Sequence, residues 1–140
     1  MVEPDDVLRI DSANAGDIER LHPWFDAVSG RLPLVIQHGM RVALEEVALN
    51  AAMHGFAPQA SGEITVRLHI APGFASLCVE DSGRPFDSSK APVHHQPADL
   101  LDAEPGGLGL VLLHHYCHDI TYERVVDRNR LTMRFALPPI

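Results

Sequence analysis

Apolar positions along this chain switch between a period of two and a period of three to four, and the switches mark out its elements. Val7-Leu8-Arg9-Ile10 alternates as a short strand. Asp11, Ser12 and Asn14 are N-cap candidates for a helix carrying Ile18, Leu21, Trp24, Phe25 and Val28 at helical spacing, and Gly30 ends it. A second helix begins near Pro33 and takes Leu44, Val47, Ala48 and Ala51 as its core stripe, with Gly55 as C′ residue and Pro58 beyond it. Residues 63–70 and 75–81 alternate as two strands joined by Ala71-Pro72-Gly73-Phe74, a hairpin.

Periodicity then fails. Residues 88–105 hold three prolines and paired histidines, which reads as a long loop of the kind that forms lids and binding segments. Gly106-Gly107-Leu108-Gly109 opens a third helix running through residues 110–117. Two last strands, 120–125 and 130–137, are joined by a turn at Asp127-Arg128-Asn129. The order βαα, ββ, loop, α, ββ describes an α+β fold, an antiparallel or mixed sheet with helices on one face.

One feature of the second helix does not fit a purely packing role. Glu46, Asn50 and His54 recur every four residues, so a carboxylate, an amide and an imidazole lie along one side of an apolar helix, beside its core stripe. Burying a polar group without a partner costs roughly 1–3 kcal/mol, so the stripe is expected to face a ligand or solvent. Read alone, Glu46 is equally a partner for Arg41 or a solvated carboxylate.

Composition narrows the classes. The 140 residues, 46% hydrophobic, suit one domain spanning 1–140 with a continuous core. A net charge of −8 argues against a nucleic-acid partner. The apolar stretches are too short for a membrane span and the N-terminus is acidic, so a cytoplasmic protein is expected. Cys78 and Cys117 are expected as buried thiols rather than a disulfide. The nine histidines, His114 and His118 at i,i+4 spacing among them, lack the Cys or carboxylate cluster of a zinc site.

Three segments carry chemistry together: Glu46-x-x-x-Asn50-x-x-x-His54-Gly55 on a helix, Glu80-Asp81-Ser82-Gly83-Arg84-Pro85-Phe86-Asp87 where a strand runs out, and Gly106-Gly107-Leu108-Gly109-Leu110 at a helix start. In that order and spacing they resemble the N, G1 and G2 boxes of the GHKL ATPase superfamily, over nearly the whole chain. The wording is closest to the bacterial anti-sigma-factor serine/threonine kinases, whose G1 box reads Asp-x-Gly-x-Pro-Phe-Asp and whose G2 box is a compact Gly-Gly-x-Gly-Leu. The resemblance implies a Bergerat fold, a two-layer α/β sandwich with a mixed, mostly antiparallel sheet and an ATP lid at about residues 88–105. It implies ATP and Mg as ligands, a sigma factor or an anti-anti-sigma antagonist as partner, and a homodimer.

Each residue suits the role that the resemblance assigns. The amide oxygen of Asn50 suits a Mg²⁺ ligand. Glu46, one turn earlier, is placed to take a proton from an attacking hydroxyl, as in-line phosphoryl transfer requires. Asp81 would accept from the adenine amino group, which GTP lacks, and Gly83 would let the backbone approach the base. Gly106, Gly107 and Gly109 present bare amides at a helix start, where the dipole favours phosphate, and also suit a hinge for the lid. Thr132 takes the place of a threonine that relatives carry near the adenine, although read alone it is an ordinary strand residue. Asp87 is expected to anchor the loop and His54 to shape the pocket.

The chain departs from the family in its lid, where Lys90 is the one Lys or Arg. A basic contact to the γ-phosphate from that segment is therefore not evident. Three functions fit these residues: a protein serine kinase with Glu46 as base, an ATP-dependent binding switch without significant transfer, and an ATP hydrolase module.

Overall fold

The computed structural model describes residues 6–10, 19–50, 62–85, 87 and 117–138, with backbone alone at 49 and 50. The described chain forms seven elements: β1 (Asp6–Ile10), α1 (Leu21–Val28), α2 (Leu34–Asn50), β2 (Ile64–Ala71), β3 (Phe74–Asp81), β4 (Asp119–Val125) and β5 (Arg128–Ala136). The strands make one sheet in the order β1-β2-β3-β5-β4, with every described pairing antiparallel. The expected α+β architecture is thus present. The expected third helix and the lid at 88–105 lie outside the described residues.

Period-two alternation gives the sheet two unlike faces. Ile64, Val66 and Leu68 of β2, Ala75, Leu77 and Val79 of β3, and Leu131, Met133 and Phe135 of β5 are all buried on one face. The register sets them in rows, Val66 beside Val79 beside Leu131, and Leu68 beside Leu77 beside Met133. The opposite face carries Thr65, Arg67, Cys78, Glu80, Arg130, Thr132 and Arg134, laced by ion pairs such as Arg130 to Glu80 and to Glu123, with N–O distances of 2.9 and 3.2 Å.

Both helices belong to the apolar face. On α2, Met40, Ala43, Leu44, Val47 and Ala48 are buried, so the expected core stripe holds wherever it is described. Ala51 lies outside the described residues. α1 contributes Leu21 and Phe25, and the Arg41 guanidinium of α2 pairs with Asp26 while lying 5.7 Å from the centre of the Phe25 ring. α1 begins at Leu21, with residues 19–20 in a turn, and the N-cap candidates Asp11, Ser12 and Asn14, with Ile18, lie outside the described residues. Pro23 lies in the first turn of this helix, where a proline is tolerated.

The strand ends also differ from expectation at one hairpin. Gly73, with φ of 85°, turns β2 into β3 as the sequence indicated. The β4–β5 turn, expected at 127–129, is instead the pair Val126-Asp127, because Val125 pairs with Arg128. Asp-Arg-Asn has turn chemistry, but ladder pairing from Arg128 onward outweighs it and draws Asn129 into the strand.

This shift leaves Val126 at φ 54°, a left-handed conformation that is costly for a β-branched side chain, and 87% exposed. We expect Val126→Gly to relieve that strain and stabilise the fold by about 1 kcal/mol after the added unfolded-state entropy of glycine, as read by thermal unfolding. A loss of stability would show that the turn does not carry the strain.

Candidate functional site

One cross-strand row changes character along its length. From the β1 edge it runs Ile10, Ile64, Asp81, Asn129, Arg124, one residue from each strand, all on the helix-covered face. Ile10 and Ile64 are fully buried, and Asp81 and Asn129 follow at 7% and 3% exposure. The last row of the core thus becomes polar where β3 ends, the position that the alternation Leu77, Val79, Asp81 dictates.

A carboxylate so far from water needs donors. The Gly83 backbone N–H donates to Asp81 Oδ1 at 2.9 Å, closing an Asx-type turn, and Asn129 Nδ2 donates to the same oxygen at 2.9 Å. Gly83 is itself buried. Asn129 Nδ2 also donates to the Arg84 carbonyl at 2.8 Å. Its Oδ1 accepts from the Tyr122 hydroxyl at 2.6 Å and from Arg124 Nη1 at 3.2 Å, and Arg124 Nη1 reaches the Gly83 carbonyl at 2.7 Å. The turn after Asp81 is therefore tied to β4 and β5 at two carbonyls.

Burial pushes the Asp81 carboxyl above its ordinary value of 3.8, and the Asn129 and Gly83 hydrogen bonds, with the charges of Arg124 and Arg128, oppose that rise.

Glu46 of α2 is 6% exposed on the same side of the molecule, among the buried residues of that helix. Arg41, its alternative partner in the sequence, pairs with Asp26, and the burial of Glu46 sets aside the solvated-carboxylate reading. Asn50 closes α2 one turn later and is described by its backbone alone. Gly106, Gly107, Gly109 and His54 lie outside the described residues, and Asp87 is half-buried.

Thr132 does not join this group. Its neighbours Leu131 and Met133 face the core, so its own side chain points to the opposite face, where Oγ1 donates to Cys78 Sγ at 3.7 Å. Asn129 is the β5 residue that meets Asp81. The signal was present in the alternation, since Leu131, Met133 and Phe135 share a parity with Asn129 and not with Thr132, but the turn-like Asp-Arg-Asn concealed it. Tyr122 and Arg124 carried no signal of their own, because their role comes from pairing β4 with β5.

Both thiols are unbridged and half-buried, and burial raises their pKa values, that of Cys117 to about 12, which makes them poor nucleophiles. No described helix is long and apolar enough to cross a membrane.

Comparison with known proteins adds the following. A family model described as histidine kinase-like ATPase domain matches residues 13–135. The serine/threonine-protein kinase BtrW of Bordetella bronchiseptica is 29% identical over 112 residues, 79% of each chain. The serine-protein kinase RsbW of Listeria innocua is 33% identical over 85 residues, 58% of this chain and 54% of that protein. Among solved structures, the RsbU and RsbW domains of a Mycobacterium tuberculosis protein match with a TM-score of 0.60 and 18% identity, over 96% of this chain and 33% of that one, a likeness of fold.

The raised Asp81 value has a defined sign. The folded protein holds this proton more tightly than the unfolded chain, so the contribution of Asp81 to stability is most favourable below 3.8 and is lost as pH rises through its raised folded value. Urea unfolding of the unaltered protein and of Asp81→Asn across about pH 4 to 7 is expected to show the difference moving in favour of the variant as pH rises. A difference independent of pH would contradict the burial argument.

Proposed function

For this chain, which belongs to the histidine kinase-like ATPase domain family, we propose an ATP- and Mg-binding regulatory domain that phosphorylates a serine on an antagonist protein. The observation that carries the nucleotide reading is Asp81, a buried carboxylate at a strand end whose two described hydrogen bonds both fall on Oδ1. Oδ2 would then serve as acceptor for the adenine amino group, with Gly83 beside the base. Gly106, Gly107 and Gly109 would offer backbone amides to the phosphates.

The donor set fits a magnesium nucleotide: an amide oxygen at Asn50 would be one Mg²⁺ ligand, and the metal would neutralise phosphate charge. Glu46, one turn before it on α2, would take the proton of the acceptor serine hydroxyl. Burial of Glu46 on α2 favours this use over a surface role, because packing holds the carboxylate in one place beside the position of Asn50. The names of the two relatives, a serine/threonine-protein kinase and a serine-protein kinase, support the same chemistry. The partners proposed are a sigma factor and its anti-anti-sigma antagonist, met in the cytoplasm by a single domain over residues 1–140 that forms a homodimer.

The second reading, an ATP-dependent binding switch, is favoured by a lid segment with Lys90 as its one basic residue among positions 88–105. One experiment separates the two. With ATP, Mg²⁺ and the antagonist protein, Glu46→Gln is expected to lower phosphoserine formation at least about 100-fold while changing ATP affinity less than about threefold. Nucleotide-dependent association without phosphate incorporation by the unaltered protein would sink the kinase reading and leave the switch.

A further inference from the structure

Asn129 uses every hydrogen-bonding position of its carboxamide. Nδ2 donates to Asp81 Oδ1 and to the Arg84 carbonyl, and Oδ1 accepts from Tyr122 and Arg124. The partners allow one orientation of the amide: the Arg84 carbonyl only accepts and the Arg124 guanidinium only donates. Asn129 therefore presents a donor to Asp81, and cannot present an acceptor without losing its bonds to the Arg84 carbonyl and to Arg124. With the Gly83 N–H on the same oxygen, Oδ1 is committed to the protein.

We infer that Asn129, anchored by Arg124 and Tyr122, is a positioning residue that sets which purine this site accepts, by pinning Asp81 so that Oδ2 remains a fixed acceptor. The inference rests on the ATP-binding reading above. Adenine offers an amine to that oxygen, whereas guanine offers a carbonyl oxygen and would face acceptor with acceptor. A carboxylate able to swing aside would relieve that repulsion at little cost. One held on its other oxygen cannot, so the penalty against guanine is retained. Arg124 works at two points, since Nη1 holds both the Asn129 amide oxygen and the Gly83 carbonyl. An edge strand thus controls a turn 41 residues away in sequence.

The test measures calorimetric affinities of the full chain for ATP and GTP, each with Mg²⁺, beside thermal unfolding. Arg124→Met keeps the aliphatic stem of an exposed residue and removes its donors, and is expected to lower the ATP-over-GTP affinity ratio about tenfold with the unfolding midpoint little changed. Asn129→Ala is expected to lower the ratio further. Glu123→Gln, on the other face of β4 where it bonds Arg130, should leave the ratio as it is. Should Asn129→Ala fail to fold, Arg124→Met decides. An unchanged ratio in Arg124→Met, with a ratio that collapses in Asp81→Asn, overturns the inference and leaves ATP binding standing. ATP affinity equal in the unaltered protein and Asp81→Asn overturns the ATP-binding reading, and the inference with it.

Discussion

A carboxylate held in the last row of a hydrophobic core is the constraint around which this fold is arranged. Asp81 is 7% exposed, beyond easy reach of water, and its neighbours along the row toward β1 are the fully buried Ile64 and Ile10. It is tolerated there because the Gly83 amide and the Asn129 carboxamide both donate to it. The second of these donors requires β5 to pair with β3 as far as Asn129. That pairing in turn requires the hairpin with β4 to close in two residues, and the left-handed Val126 is the local cost of closing there. Strain at a surface turn is thus coupled to satisfaction of a buried charge.

The two faces of the sheet divide the labour. On the helix-covered face Glu46 and Asp81 are both buried, and burial raises the affinity of the Asp81 carboxyl for its proton and for donors. The other face is an open mesh of half-exposed ion pairs, Arg130 between Glu80 and Glu123, Arg134 with Asp119, and Arg9 and Arg128 on Glu63. Pairs of that kind contribute little stability each, but they keep a wide sheet soluble and its edges charged. Thr132 and Cys78 lie within this mesh, remote from the nucleotide chemistry proposed for the opposite face.

Much of this was legible in one dimension. The stripe Leu44, Val47, Ala48 named the buried side of α2, the alternation through Leu77, Val79 and Asp81 placed the carboxylate at the strand end, and Pro72-Gly73 marked its hairpin. Local rules suffice there because each residue is decided by its own neighbours in sequence. They did not suffice at Val126-Asp127, where the residues with turn chemistry lie one place further on and the choice of turn rests with the ladder of β5 on β3. Thr132 was named on the resemblance alone, and the parity of β5 sets its side chain on the face opposite to that of Asn129.

The sequence by itself determined the order of elements, the apolar faces that drive them together, and the helix and strand-end residues Glu46 and Asp81 around which the functional reading is built. Periodicity carries that information, because burial of one face repeats at the pitch of the backbone. Only the tertiary structure decided that Asn129, Tyr122 and Arg124 converge on the turn after Asp81. Those residues come from strands separated from it by dozens of positions, and hydrogen bonds between them exist only once antiparallel pairing has set the register.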